Sequence, residues 1–163
     1  MLSSSSQLFK IVDLYMEGII FVGIPATGKS SFYKEVFFRT HLRINLDMLN
    51  TRRKEHTLLD TCLELQQRVV IDNTNPTIED RNKYISKFKS RKYKIIGYFF
   101  QSRIDDALQR NAERVGKEYI PELGVRSVHS KLELPSLQEG FDELYYVNIV
   151  NGKFTVVNWK NEI

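Results

Sequence analysis

Short apolar runs recur along the chain and alternate with segments whose apolar residues are spaced as on one face of a helix. The runs predict strands at residues 18–22, 42–46, 68–72, 94–100, 144–149 and 154–159. Strands and helices in alternation are typical of a parallel sheet covered by helices on both faces. The pattern therefore predicts an α/β fold that ends in a hairpin around Asn151 and Gly152.

Two of the helical segments carry clear start signals. One follows Pro76 at Thr77-Ile78-Glu79-Asp80, and the other begins at Ser102-Arg103-Ile104-Asp105. The second predicted helix has an apolar stripe formed by Ile104, Ala107, Leu108, Ala112 and Val115. Arg110 and Arg114 are four residues apart and are predicted on its opposite face. We expect residues 102–131 to form a lid.

The composition is that of a globular protein. The chain has 163 residues, of which 42% are hydrophobic and 27% are charged, which is close to the usual size of one domain. We therefore expect a single domain over residues 1–163, with a disordered Ser-rich start at residues 1–8. Cys62 lies in an apolar helical stretch and is predicted to pack in the core, so the chain fits a reducing compartment.

Charge and hydropathy restrict the setting of the protein. Lys10, Asp13 and Glu17 interrupt the apolar runs before the first strand, so we expect no export signal. No segment approaches the length of a membrane span, and we expect a soluble, cytoplasmic protein. The net charge of +4 permits an anionic partner such as nucleic acid, although ordinary enzymes carry similar charges.

The segment Gly23-Ile24-Pro25-Ala26-Thr27-Gly28-Lys29-Ser30 matches the phosphate-binding motif Gly-x-x-x-x-Gly-Lys-Ser, and joins the first strand to a helix with Phe32, Val36 and Phe37. Its glycines let backbone N–H groups surround phosphate oxygens at a helix N-terminus. A plain turn would not need Lys29, because a cation there opposes the helix dipole by roughly 0.3–1 kcal/mol. The motif predicts ATP binding, with Ser30 as a magnesium ligand.

Two carboxylates are predicted at strand ends, where open α/β sheets bind ligands. Asp47 follows the second predicted strand and could accept the proton of an acceptor hydroxyl, but it could equally cap the next helix. Asp72 ends the third predicted strand, where an acid often supports magnesium in P-loop proteins. Its alternative role is a turn with Asn73, and the order of the motifs favours the functional role.

Arginines offer further candidates. Arg110 and Arg114 could neutralise charge on a transferred phosphoryl group, although the spacing alone favours a solvated helix face. Arg52, Arg53 and Lys54 follow Asp47 closely enough to contact acceptor phosphates. The basic residues between 83 and 94 are farther away in sequence, and we expect them to form a solvated surface.

Five segments together resemble the 5′-hydroxyl kinase domain of polynucleotide kinases, across about residues 19–150. They are residues 23–30, Ile44-Asn45-Leu46-Asp47, Val70-Ile71-Asp72-Asn73-Thr74-Asn75-Pro76, Gln109-Arg110-Asn111-Ala112-Glu113-Arg114 and Pro135-Ser136-Leu137-Gln138-Glu139-Gly140-Phe141. The third and fifth segments are distinctive of the animal-type proteins. The resemblance implies a P-loop kinase that uses ATP and Mg²⁺ and phosphorylates the 5′ end of DNA or RNA.

The resemblance also implies roles for individual residues. Lys29, Asp47 and Arg114 would be catalytic, and Ser30 and Asp72 would hold the metal. Together with the basic residues that follow Asp47 in sequence, this predicts acceptor contacts at Asp47, Arg52, Arg53, Asp72 and Asn75. The nucleotide contacts would be Gly23, Ile24, Pro25, Ala26, Thr27, Gly28, Lys29, Ser30, Ser31, Arg110 and Arg114. Asn50 departs from the phage-type pattern, which has an acceptor-binding arginine there. The phosphatase motif Asp-x-Asp is absent, so the chain is expected to be a stand-alone kinase.

We therefore predict an ATP-dependent kinase that transfers the γ-phosphate to a 5′-hydroxyl of nucleic acid. A kinase of a small metabolite, such as a sugar or nucleoside, is the nearest alternative, because related P-loop folds act on such substrates. The three basic residues at 52–54 suit a polyanionic acceptor better. A nucleotide-binding regulatory module without catalysis is the third alternative, and the intact set of site residues argues against it.

Overall fold

In the computed structural model, which describes residues 16–160, six strands form one sheet. The strands are β1 (Glu17–Val22), β2 (Leu42–Ile44), β3 (Val69–Ile71), β4 (Lys94–Phe100), β5 (Glu143–Val150) and β6 (Lys153–Asn158). Their order is β2-β3-β1-β4-β5-β6; the first five are parallel, and β6 returns antiparallel to β5. The predicted parallel α/β sheet with a closing hairpin is confirmed.

Helices connect the parallel strands. They are α1 (Lys29–Phe32), α2 (Leu46–Leu49), α3 (Arg52–Glu64), α4 (Ile78–Ser90), α5 (Ile104–Ala112) and α6 (Glu122–Lys131), with short 3₁₀ turns at Gly116–Glu118 and Leu137–Glu139. The predicted start of α4 is confirmed, because the Thr77 hydroxyl accepts a hydrogen bond from Asp80 N–H and the Asp80 side chain bonds back to the Thr77 backbone. Among residues 16–160, no helix is long and apolar enough to cross a membrane.

The two faces of the sheet bury different clusters. Ile20 and Val22 on β1 pack with Leu59, Tyr84 and Phe88 from α3 and α4. The opposite face is rich in aromatic rings, which include Phe21, Phe32, Phe37 and Phe100. Burial of each large apolar side chain contributes about 1.5–3 kcal/mol, so this double-sided packing fixes β1 at the centre of the fold. Cys62 belongs to the first cluster, as predicted.

Some predicted boundaries are wrong. The second and third strands end at Ile44 and Ile71, before the residues predicted to close them. The predicted stripe of the helix at 104–115 stops at Leu108, because α5 ends at Ala112 and Val115 is 81% exposed. The predicted helix after the phosphate motif continues from α1 as a π-helical turn, Tyr33–Phe37, which leaves Val36 exposed. The predicted disorder at residues 1–8 lies outside the described residues.

A buried ion pair connects α4 to the segment before β5. Arg81 has no exposed surface, and its guanidinium donates to both carboxylate oxygens of Glu139, at 2.7 and 3.0 Å. Its Nη1 also donates to the carbonyl oxygens of Asn75, Pro76 and Glu133. One side chain therefore joins the third and fifth motif segments to the end of the helical region at 104–131.

We predict that Arg81→Ala lowers the free energy of unfolding by about 3–5 kcal/mol, because it leaves the Glu139 carboxylate buried without its charge partner. Denaturant unfolding measures this effect. Arg126→Ala is the matched control, since the Arg126–Glu122 pair is exposed and should contribute less than about 1 kcal/mol. Equal losses for the two variants would contradict a special role for the buried pair.

Candidate active site

The carboxyl ends of three neighbouring strands, β1, β3 and β2, open onto one cleft. The loop after β1 supplies residues 25–30 of its wall, the loop after β3 supplies residues 72–76, and β2 leads into residues 45–47. Arg52, Asp80, Arg114 and Ile120 complete the wall. This is the edge at which open α/β sheets bind their ligands.

The phosphate loop between β1 and α1 is anchored at its start. Gly23 N–H donates to the carbonyl oxygen of Thr74 at 3.0 Å, and Ile24 N–H donates to Ser102 Oγ at 3.1 Å. Gly28 has a φ of +92°, in the left-handed region, and a Cβ there would lie 3.0 Å from the Phe154 ring. Both the backbone angle and the contact require glycine at this position.

Lys29 is the first residue of α1, and its buried side chain folds back onto the loop. Nζ donates to the carbonyl oxygens of Gly23 at 2.9 Å and Ile24 at 2.7 Å. Burial lowers the pKa of Lys29 to about 8; Asp72 opposes this shift, Arg114 adds to it, and Asp47 also opposes it. A buried cation held by backbone dipoles is under-stabilised, so phosphate oxygens would favour its charged form.

The Asp72 carboxylate is buried directly after β3 and joins the phosphate loop to β2. Its Oδ2 accepts hydrogen bonds from Ser30 Oγ at 2.9 Å and from Arg43 Nε at 2.7 Å. Arg43 Nη2 also donates to Ser30 Oγ at 2.9 Å, so the three side chains form a closed triangle. The alternative turn role with Asn73 is not the one observed, because these bonds engage the Asp72 carboxylate.

The triangle contains oxygen donors of the type that Mg²⁺ prefers. Mg²⁺ is usually bound by one or two protein oxygens together with water and substrate phosphates. Ser30 Oγ and Asp72 Oδ2 fit that donor set. Among residues 16–160, no group of three or more His, Cys, Asp and Glu side chains offers a larger metal site.

Asp47 lies in the first turn of α2, and its carboxylate is exposed on the cleft wall. The N-cap of α2 is Asn45, whose Oδ1 accepts from Met48 N–H at 3.0 Å, and the N-cap of α3 is Thr51. The alternative that Asp47 caps a helix is therefore wrong. Within residues 16–160, the Asp47 side chain has no hydrogen-bond or ion-pair partner, so it is available to a ligand.

The two arginines at the start of α3 point to different places. Arg52 lines the cleft, and its Nη1 donates to Glu55 Oε1 and to the Tyr84 hydroxyl, both at 3.0 Å. Arg53 is exposed and is not part of the cleft wall. Consecutive helical residues do not share a face, so only Arg52 is placed for the acceptor contact predicted for both.

The prediction that Arg114 shares a helix face with Arg110 is wrong, because α5 ends at Ala112 and Arg114 lies beyond it. Asn111 holds the intervening loop, because its Nδ2 donates to the Ile120 carbonyl oxygen at 2.6 Å and its Oδ1 accepts from Ile120 N–H at 3.1 Å. This loop brings Arg114 to the cleft, whereas Arg110 does not line it. The two arginines therefore do not act as a pair on one surface.

Asn75 and Asn50 both have partners in the backbone. Asn75, a predicted acceptor contact, lines the cleft, but its Nδ2 donates to the Phe21 carbonyl oxygen at 2.7 Å and so connects the loop after β3 to β1. Asn50 ends α2 with a φ of +67°, and its N–H donates to the Leu46 carbonyl oxygen at 2.7 Å. Asparagine tolerates this left-handed conformation better than arginine does, which gives a physical reason for the departure at position 50.

Sequence reasoning missed Arg43 and Glu55. The available signal for Arg43 was a cation inside the apolar run of β2, which pairs with the strand that Asp72 directly follows. Glu55 lies four and seven residues before Leu59 and Cys62, so helical spacing places it on the buried face of α3. A carboxylate on such a face indicates a buried partner.

We predict that the stability of the protein without nucleotide or metal depends on pH through Lys29. Its pKa is about 8 in the folded chain and 10.5 in the reference state, so the folded state binds fewer protons between these values. Unfolding free energy should therefore rise with pH over this window, by roughly 3 kcal/mol more than in Lys29→Met. Denaturant titrations of both proteins at pH 7 to 10.5 measure the difference, and a constant difference would contradict the assigned burial cost.

Comparison with protein-family models gives no match. The chain is 31% identical over 131 residues to a bifunctional polynucleotide phosphatase/kinase of Schizosaccharomyces pombe, covering 78% of this chain and 32% of that protein. It is 26% identical over 144 residues to a putative bifunctional polynucleotide phosphatase/kinase of Acanthamoeba polyphaga mimivirus, covering 83% of this chain and 34% of that protein. The chain thus spans about a third of the length of these relatives.

Solved structures support the fold. Kti12 of Chaetomium thermophilum in complex with ADP-AlF₃ matches with a TM-score of 0.65 and 14% identity, over 80% of this chain and 88% of that one. A gluconokinase of Sinorhizobium meliloti 1021 matches with a TM-score of 0.60 and 16% identity, over 82% and 83%. The predicted P-loop fold is confirmed by these neighbours, and the predicted resemblance to the polynucleotide kinase family is confirmed in sequence over most of this chain.

Proposed function

We propose that this chain is an ATP- and Mg²⁺-dependent kinase that transfers the γ-phosphate to the 5′-hydroxyl of DNA or RNA. One observation carries the proposal: the exposed Asp47 carboxylate shares a cleft with the phosphate loop. A cleft with a phosphate loop alone fits any nucleotide-binding module, whereas a carboxylate available to a hydroxyl fits phosphoryl transfer. The similarity to polynucleotide phosphatase/kinases supports the choice of acceptor. Residues 1–163 form one kinase domain in this proposal.

The donor side of the cleft binds the triphosphate. The loop N–H groups and Lys29 hold the phosphate oxygens, and Ser30 and Asp72 hold Mg²⁺. When bound, Mg²⁺ neutralises charge on the phosphates. Arg43 contacts Ser30 and Asp72, and its positive charge balances that of the Asp72 carboxylate.

The acceptor side orients the hydroxyl. Asp47 accepts a hydrogen bond from the attacking hydroxyl and takes its proton as the new O–P bond forms. Arg114 supplies positive charge to the phosphoryl group while the bond to the leaving phosphate breaks. Arg52 binds a phosphate of the acceptor. The protein contributes alignment and charge neutralisation, which dominate catalysis of phosphoryl transfer.

Transfer of labelled γ-phosphate from ATP to a panel of acceptors tests the proposal. The panel contains 5′-hydroxyl DNA and RNA oligonucleotides, their 5′-phosphorylated counterparts, nucleosides and simple sugars. We expect label only on the oligonucleotides with a free 5′-hydroxyl. Preferential labelling of a nucleoside or sugar would favour a kinase of small metabolites. The absence of transfer to every acceptor would favour a regulatory module.

We predict that Asp47→Asn lowers kcat by roughly 10²–10⁴, because the amide cannot take a proton at neutral pH. Asn45 and Thr51 provide the helix caps, so the melting temperature should stay within a few degrees of wild type. Thr51→Ala is the contrasting variant, since loss of its cap on α3 should cost about 1 kcal/mol of stability. Steady-state kinetics and thermal melts decide the matter, and a fully active Asp47→Asn enzyme would exclude the base.

We predict that Arg114→Ala lowers kcat by at least about a hundredfold, because an arginine on the transferred phosphoryl group can contribute 10³ or more. Arg110→Ala is the matched control, since the structure places Arg110 outside the cleft wall. Its kcat should change by less than about threefold. Equal kcat values for the two variants would remove Arg114 from the mechanism.

A further inference from the structure

A buried carboxylate on the acceptor side of the cleft has no role in the mechanism above. It belongs to Glu55 on α3, which has no exposed surface and is the centre of a hydrogen-bonded network. Arg52 Nη1 at 3.0 Å and the Tyr84 hydroxyl at 2.7 Å donate to Oε1, and Asn73 Nδ2 donates to Oε2 at 2.9 Å. All three partners are donors, so the carboxylate uses both oxygens as acceptors.

The second oxygen of Glu55 leads to the helix that carries Asp47. Asn73 Oδ1 accepts a hydrogen bond from Leu46 N–H at 2.8 Å, and Leu46 is the first residue of α2. Glu55 is thus connected on one side to the side chain of Arg52 and on the other, through one amide, to the backbone next to Asp47. The network therefore links two cleft groups that belong to different helices.

Tyr84 fixes the network from α4. Its ring is 2% exposed, and burial together with its hydrogen bond to Glu55 raises the pKa of Tyr84, so its hydroxyl remains a donor. The same hydroxyl accepts hydrogen bonds from Arg52 Nη1 at 3.0 Å and Asn73 Nδ2 at 3.3 Å. Each member of the network is held by at least two others, which restricts their rotamers.

Arg52 keeps one edge of its guanidinium available. Only Nη1 is bonded within residues 16–160, and 54% of the side chain is exposed; Arg52 is one of the residues that line the cleft. The Nε and Nη2 groups form the other edge, and two parallel N–H donors match two oxygens of a phosphate. An arginine fixed at one corner is suited to bind a phosphate with little further loss of side-chain entropy.

We propose that Glu55 is a positioning residue, which sets the Arg52 guanidinium and the Asp47 carboxylate for an acceptor with a phosphate next to its reacting hydroxyl. This inference rests on the proposed function, in which Arg52 binds a phosphate of the acceptor. A nucleoside 3′-monophosphate is the smallest acceptor with both groups, and the unphosphorylated nucleoside lacks the group that Arg52 binds.

The test compares Glu55→Gln, Arg52→Ala and the double variant with Glu64→Gln, which alters an exposed carboxylate on the same helix. Labelled transfer gives kcat and KM for the nucleoside 3′-monophosphate and for ATP, and thermal melts report folding. We expect Glu55→Gln to raise the acceptor KM about tenfold or more, and the ATP KM less than twofold, because a hydrogen bond to a charged group is lost or misdirected. In the Arg52→Ala background, Glu55→Gln should raise the acceptor KM by less than about a further twofold.

Tyr84→Phe provides a second variant that keeps the carboxylate and the packing of α4. It removes one donor to Glu55 and one acceptor for Arg52, and should raise the acceptor KM about threefold, again without changing the ATP KM. This variant tests the network even if Glu55→Gln does not fold. Unchanged acceptor KM in Tyr84→Phe and Glu55→Gln, or equal increases in both KM values, would overturn the positioning role.

The outcomes separate the inference from the function on which it rests. If the wild-type enzyme labels no 5′-hydroxyl acceptor, the proposed function is wrong and the role of Glu55 fails with it. If the wild-type enzyme is active but Glu55→Gln behaves like Glu64→Gln, only the positioning role is wrong. An acceptor KM that rises additively in the double variant shows that Glu55 does not act through Arg52.

Discussion

Parallel pairing of β1 with both β3 and β4 requires the chain to cross back over the sheet between strands, so successive strands end at the same edge. Ile19 illustrates the constraint, because it is paired with Val70 on one side and Ile96 on the other. The crossovers bury both faces of β1 and leave their polar connections together at the carboxyl edge. The phosphate loop, Asp72 and the helix of Asp47 converge there because the register of three short apolar strands places them there.

The elements could be predicted from sequence because their signals are local. Apolar runs mark the strands, and the capping box at Thr77 marks the start of α4. The errors occur where hydrogen bonds between residues distant in sequence determine where an element ends. The Asn111–Ile120 bonds take residues 113–120 out of the helix, so the spacing between Arg110 and Arg114 carried no information about a shared face. The π-helical turn after Phe32 shifts the helical phase, which places Phe37 inside and Val36 outside.

The candidate site was predicted in its parts but not in its connections. The phosphate motif identified Lys29 and Ser30, and strand order identified Asp72, yet neither indicated that Arg43 would contact both Ser30 and Asp72. The sequence could not decide whether Asp47 caps a helix or faces a ligand. The structure excludes the cap, because Asn45 and Thr51 are the N-caps of α2 and α3. Arg52 and Arg53 are adjacent and chemically identical, so only the direction of α3 distinguishes them. Which side chains meet across the sheet depends on the register between strands. Residue spacing within one segment does not reveal that register.

The helical region at 104–131 is anchored at both ends. Near one end, Ser102 Oγ accepts from Ile24 N–H, and just past the other, Arg81 and the Ile78 backbone N–H hold Glu133. One end is thus held by the phosphate loop and the other by α4. Arg114 lies in the loop between α5 and α6, far along the chain from both anchors, so its place on the cleft wall depends on the local bonds between Asn111 and Ile120.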